Sequence, residues 1–217
     1  MINNYLKLDF GSEPQKLEDK FYELATYLMN ELCLSVAGKR YKITELEIYC
    51  NDKKEHNDPF IHGSVEQLSC GKWYFHGSGL DITFGDAERG IHAGILIRGI
   101  VEWGTNKYIN GPLNVLKEIF FNMGDVFIDK GGFCLQALTP EEKQAIEKPI
   151  RTTRYGLNAK KDNDKNFLEK EYRYITDLYP KHKFNGKEKI VRNLLLANKI
   201  TNDEAKAILG NNIKKIS

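Results

Sequence analysis

Apolar and polar residues alternate along Ile43–Asp52, "ITELEIYCND". In an extended chain Thr44, Leu46, Ile48 and Cys50 fall on one side, and Ile43, Glu45, Glu47 and Tyr49 on the other. That period predicts a strand with one face in a core. The other face, with two carboxylates and a phenol, either meets solvent or lines a pocket. The same reading predicts strands at 41–50, 72–76, 80–84, 94–102 and 133–137, separated by Gly-rich turns such as "HGSG" and "FGDAERG".

Helical spacing governs the two ends of the chain. Over 13–34, Leu17, Phe21, Leu24, Ala25 and Leu28 share one helix face. "NGPLNVLKEIFFNMG" has Gly111 at its start, Pro112 at the first helical position and Gly124 just past its end. "TPEEKQAIEK" carries Thr139 as a cap, Pro140 after it and Glu142 three residues beyond the cap. "RTTRYGLNAKKDNDKN" is polar and reads as a loop. Amphipathic helices are predicted at 186–199 and 202–209, the second opened by Thr201 with Glu204 and stopped by Gly210. Strands in the middle and helices at both ends predict an α+β fold with a mostly antiparallel sheet. No Gly-rich phosphate loop follows a first strand, which argues against a doubly wound nucleotide fold.

Composition narrows the class. At 41% hydrophobic and 29% charged over 217 residues, the chain reads as an ordinary globular protein, and no apolar run approaches a membrane span. Cys33, Cys50, Cys70 and Cys134 are scattered, with no C-x-x-C pair. A zinc site or disulfide framework is therefore not expected, and a reducing cytoplasm is. Charge is uneven. Residues 1–150 hold 16 Lys and Arg against 22 Asp and Glu, whereas residues 151–217 hold 16 against 8. The basic final third suits a polyanion such as nucleic acid, or is a solvated lysine-rich surface.

Chemistry gathers in three stretches. A sheltered Glu45 or Glu47 could deprotonate a water, and Tyr49 shares their face. In "AGILIRGIVEW" the lone Arg98 interrupts an apolar strand. Its guanidinium needs anionic company, either Glu45 or Glu47 within the protein or an anionic ligand such as phosphate. "KWYFHGSGLDITFG" clusters Trp73, Tyr74, Phe75 and His76 before a turn. These rings either sandwich a flat base or fill the core. His62 in "NDPFIHG" and His76 could position a water or a substrate, or be ordinary core residues.

Taken in order, these pieces resemble the alkyladenine (3-methyladenine) DNA glycosylase family. "ITELEIY" is similar to its strand I-V-E-T-E-A-Y, whose second glutamate activates the attacking water and whose tyrosine stacks on the flipped base. "DPFIHG" resembles D-P-A-S-H-A, and "GILIRGI" resembles V-L-I-R-A. "INGPLNVLKEI" is similar to N-G-P-G-K-L-x-x-A-L, while "TTRYGLN" and "EYRYI" resemble the closing T-P-R-I-G-I and W-R-F-Y. The opening "KLDF" has its counterpart too. The likeness runs from about residue 6 to 177.

The resemblance implies a curved, open-barrel-like sheet flanked by helices over 1–180, with 181–217 as a basic helical extension. It implies base excision from damaged DNA by base flipping, with the alkylated or deaminated purine released by hydrolysis. Glu47, helped by His62, would activate the water, and Tyr49, Phe75 and His76 would clamp the base. Arg98 would hold the sugar-phosphate side. No cofactor, metal, membrane or obligate protein partner is implied. The departures point elsewhere. The family's DNA-facing stretch R-G-x-T-x-R-N has no counterpart, and the segment between Tyr49 and His62 is longer. Phe75 stands at the second pocket tyrosine, Ser78 at the tyrosine wedge, and Gly85 near the base-selecting asparagine. Without a wedge the cost of flipping must be met elsewhere, or avoided on single strands or free nucleosides. A relative that binds nucleic acid or a nucleotide without cutting it is the other reading.

Overall fold

The computed structural model describes residues 6, 14–125, 127–129, 132–143, 145–162 and 166–210. The "KLDF" stretch lies outside them. The chain divides into two compact units, Met1–Thr176 and Asp177–Ser217.

The first unit is α+β, a curled antiparallel half-barrel sheet with two helices among the described residues. Helix α1 (Pro14–Asn30) buries Phe21, Leu24, Ala25 and Leu28, as the spacing predicts. The helical pattern was expected to continue to residue 34, but Leu32–Val36 is strand β1. All five of its residues are buried, paired with β2 (Lys39–Asp52) on one side and β10 (Phe133–Ala137) on the other. Two ladders outweigh a local helical preference. Ala37 and Gly38, at φ 48° and 85°, form the tight turn between β1 and β2.

Strand β3 (His56–Asn57) pairs with the end of β2. Beyond β2 lie β6 (His92–Glu102), β5 (Gly79–Phe84) and β4 (Cys70–His76), in the order β10-β1-β2-β6-β5-β4. Strand β7 (Lys107–Asn110) pairs antiparallel with the end of β6, and the two-residue strands β8 (Gly124–Asp125) and β9 (Ile128–Asp129) pair apart from the main sheet. Strands β11 (Ile150–Thr152) and β12 (Arg173–Ile175) join through β12 to the middle of β2. The "RTTR" stretch, expected to be loop, thus starts as a strand. Helix α2 (Pro112–Asn122) buries Val115 and Ile119 in the same core as α1.

Register explains how the core and the polar face coexist. In the β2–β6 ladder Ile43 faces Ile100, Glu45 faces Gly99, and Leu46 faces Ile97. Thr44 on β2 and Arg98 on β6 are therefore extra residues, one in each strand. Two opposed bulges cancel, so the register after them equals the register before. The bulges overturn one expectation from simple alternation. Ile43 does not share the face of Glu45, Glu47 and Tyr49 but packs in the core with Leu46, Ile48 and Cys50.

"TPEEKQAIEK" forms no helix among the described residues. Its cap contact exists, since Thr139 N–H donates to Glu142 Oε2 at 2.8 Å. Glu142 is instead held by Arg40, whose Nε and Nη2 both donate at 2.6 Å. A long-range bidentate pair has replaced helix propagation.

In the second unit, α3 (Lys187–Leu196) and α4 (Asn202–Leu209) pack through Val191, Ala205 and Ile208. Thr201 and Glu204 form the capping box that the sequence predicts, and Gly210 follows the last turn at φ 73°. No helix among the described residues is long and apolar enough to cross a membrane.

His56 gives the fold a pH dependence. Its ring is buried among Phe21, Phe167 and Tyr172, and its Nε2 finds no hydrogen-bond partner among the described residues. That burial pushes its pKa down to about 4, against 6.5 for a free ring. Above the free value neither state is charged and stability is complete. As pH falls toward 4, the unfolded chain takes a proton that the folded ring refuses. Stability should therefore drop by on the order of 3 kcal/mol between about pH 7 and 4. Urea unfolding of wild type and His56→Phe across that range checks this, and the variant should show the shallower slope.

Candidate functional site

Three adjacent strands, β12, β2 and β6, bring four charges together under the polar face. Arg173 lies directly opposite Glu47 in one ladder, and Ile175 opposite Glu45. Arg98, released from the other ladder by its bulge, reaches across to both glutamates. Its Nε donates to Glu45 Oε1 at 2.7 Å and its Nη1 to Glu47 Oε2 at 3.2 Å. Arg173 Nε donates to Glu45 Oε1 at 2.8 Å and lies 3.9 Å from Glu47 Oε1. Two carboxylates and two guanidinium groups are thus buried as a neutral quartet. That is the condition under which such charges survive desolvation.

Glu47 has two further donors. The Tyr49 hydroxyl donates to Oε2 at 2.7 Å, and the Tyr155 backbone N–H to Oε1 at 2.8 Å. Its side chain is 0% exposed. Burial, reinforced by the Glu47 charge, pushes the Tyr49 phenol far up, so it remains a donor. Below Tyr49 lies a second ion pair. Arg154 donates to Asp58 through Nη1 at 2.5 Å and Nη2 at 3.2 Å, both side chains being fully buried. The Arg154 guanidinium sits 4.5 Å from the Tyr49 ring centre. Asp58 also accepts the Phe60 N–H at 3.1 Å, which shapes the turn leading to His62. The "DPFIHG" and "TTRYG" segments are therefore locked to each other.

Above this floor opens a cavity of about 260 Å³. Tyr49, His62, His76, Asp81, Arg98 and Tyr155 all line it. The His62 ring stands edge-on to His76, with centres 4.4 Å apart, and His76 stacks on Tyr74 at 4.9 Å. Ser78 N–H donates to His76 Nδ1 at 3.2 Å, leaving Nε2 as the N–H that meets Asp81 Oδ1 at 3.0 Å. Burial lowers the His62 pKa below its ordinary value. Ser78 lies at the cavity edge.

Of the residues singled out in the sequence, Tyr49, His62, His76 and Arg98 converge on this cavity. Glu47 lies behind Tyr49, Arg98 and Tyr155 and does not line it. Phe75 does not join them. Alternation along β4 turns it to the opposite face, where it stacks on Phe120 at 5.4 Å and is 41% exposed. Phe75, expected at the pocket, is thus placed away from it, and Tyr155, which the sequence did not single out, lines the cavity. Both structural and ligand readings of Arg98 have a basis. Glu45 and Glu47 hold Nε and Nη1, while Nη2 has no partner among the described residues. Gly85 cannot hold a base-selecting side chain, because a Cβ there would meet Gln67 O at 1.9 Å.

Arg173, Arg154, Asp58 and Asp81 also escaped sequence reading. Arg173 had a usable signal, a cation between Tyr172 and Tyr174 in "EYRYI", the same kind that marked Arg98. The others depend on contacts across 96 or more residues in the case of Arg154 and Asp58, and on strand parity in the case of Asp81.

No family model matches the chain. It is similar to uncharacterized protein L759 of Acanthamoeba polyphaga mimivirus, at 27% identity over 190 aligned residues. The match covers 73% of this chain and 86% of that protein.

The quartet predicts a large stability effect. Glu45→Gln leaves two guanidinium groups facing one carboxylate in the interior. It should lower the unfolding free energy by about 3–5 kcal/mol, read as the shift of a urea denaturation curve.

Proposed function

We infer that the chain hydrolyses the N-glycosidic bond of a damaged purine in nucleic acid, in the manner of the alkyladenine glycosylases it resembles. The observation that supports this most is the shared cavity. Tyr49, His62, His76 and Arg98 come from separate segments and line one recess directly above a carboxylate. Flat rings on its walls suit a planar heterocycle, and Arg98 Nη2 is a spare cationic donor for the sugar-phosphate side.

In this reading the base enters between the rings and the anomeric carbon comes to rest over Glu47. As the C–N bond breaks, its electron pair leaves with the base and the sugar becomes oxocarbenium-like. Water attacks the anomeric carbon and gives its proton to Glu47. The negative carboxylate, already positioned by Tyr49 and Tyr155, stabilises the developing positive charge. His62, held neutral near pH 7, can orient the water or the base through its ring nitrogens. Ser78 offers no apolar wedge to fill a duplex, so single strands and nucleosides are substrates to be compared with duplex.

A second reading, binding without cleavage, is favoured by one observation. Glu47 is fully covered, and four donor groups surround it. Water reaches it only if Tyr49 or Arg98 shifts. Release of free base from alkylated or deaminated DNA, as duplex and as single strand, and from nucleosides separates the two. Wild type should release base, and Glu47→Gln, shown folded by circular dichroism, should release it at least about 100-fold more slowly. Equal rates would remove Glu47 as the base. Binding without release from any substrate would decide for the second reading.

Residues 151–217 hold 16 basic against 8 acidic side chains, an excess that remains after Arg154 and Arg173 are set aside as buried ion-pair partners, and Lys161 brings a positive charge to the cavity itself. Affinity for DNA should therefore fall steeply between about 50 and 200 mM salt. A titration insensitive to salt would exclude a phosphate backbone as the main contact.

A further inference from the structure

The β5 wall of the cavity carries a carboxylate that hydrolysis does not use. Alternation along β5 sends Leu80, Ile82 and Phe84 into the core and turns Asp81 toward the cavity. Asp81 is 3% exposed and has no arginine or lysine partner among the described residues. Two groups hold it. Gln67 Nε2 donates to Oδ2 at 3.2 Å, and the His76 Nε2 meets Oδ1 at 3.0 Å. Because His76 Nδ1 accepts the Ser78 N–H, that imidazole is in its neutral N–H tautomer and supplies a dipole rather than a cation.

The surroundings leave room for this arrangement. A Cβ on Gly94, in the neighbouring strand, would lie 2.6 Å from Asp81 Oδ2 and 3.0 Å from Gln67 Nε2. Any side chain there would push the pair aside. An ionised carboxylate has about four acceptor sites, two on each oxygen. Gln67 and His76 occupy one on each, fixing the plane of the group. One acceptor site per oxygen is left in a sheltered wall, with no lysine or arginine in ion-pair contact among the described residues, where an unmatched acceptor is costly.

We propose that Asp81 selects the base, by accepting two adjacent N–H donors from the edge of a guanine-type heterocycle. The inference rests on the reading of the cavity as a base pocket. The ring N1–H and the 2-amino group of guanine are side by side and match the two oxygens. Hypoxanthine keeps the ring N–H and lacks the amino group. Adenine sets a ring lone pair against the carboxylate and is repelled. The discrimination therefore lies in a residue on β5, away from Glu47, and concerns which base is held rather than how its bond is cut.

Guanosine, inosine and adenosine, titrated against the full chain by calorimetry, test it. Wild type should bind guanosine about tenfold or more tighter than adenosine, with inosine between them. In Asp81→Asn the preference for guanosine should vanish, since the amide puts a donor in place of one of the two acceptor oxygens and breaks the matched pair. Equal binding of the three nucleosides by wild type would overturn the proposal, as would a guanosine preference that survives in Asp81→Asn. The wild-type comparison decides the matter even if that variant does not fold. If no nucleoside binds, the proposal falls together with the base-pocket reading. If base release is observed but the nucleosides bind alike, only the role of Asp81 falls.

Discussion

The rest of this structure depends on the burial of four charges at the centre of the sheet. Glu45 and Glu47 on β2, Arg98 on β6 and Arg173 on β12 stand within hydrogen-bond or ion-pair reach of one another. None of them could occupy that position alone, because an unpaired charge in the interior is too costly to keep. Together they cancel, and in doing so they tie three strands at one level. The bulges at Thr44 and Arg98 make this possible. They let the core face stay apolar above and below while one arginine swings out of the ladder.

This quartet gives the cavity a rigid floor. Tyr49 is fixed from two directions, by its hydroxyl on Glu47 and by the Arg154 guanidinium against its ring. Arg154 is fixed in turn by Asp58, at the head of the loop that delivers His62. The Tyr49 and His76 rings thus have their orientation set by buried charges, those of Glu47, Arg154 and Asp81, which leaves these two rings little conformational freedom to lose on binding. The same arrangement restrains Glu47. Donors that hold the carboxylate in place also compete with a water for it, which is why catalysis and simple binding are both consistent with one geometry.

The fold was largely legible in the sequence wherever a single face decided the outcome. The alternation of β2 and the apolar stripe of α1 read directly, as did the Gly-Pro start of α2 and the capping box of α4. It failed where distant contacts outweighed local preference. Leu32–Val36 continued a helical pattern but found strand partners on both sides. Glu142 completed a local cap but was captured by Arg40 from β2.

For the site, the sequence by itself determined the cast: a strand glutamate beside a tyrosine, a histidine after Asp-Pro, an arginine in an apolar strand, and an aromatic run ending in histidine. These residue types are costly or unusual where they stand, and so they are visible without a structure. Which of them share a cavity was decided only by the tertiary structure. Side-chain direction in a sheet has a period of two, so one extra residue or one position along β4 reverses it. That parity sent Phe75 away from the cavity and Asp81 into it. Pairing across three strands buried Glu47 behind its own neighbours, where the sequence shows only a carboxylate two residues before a tyrosine.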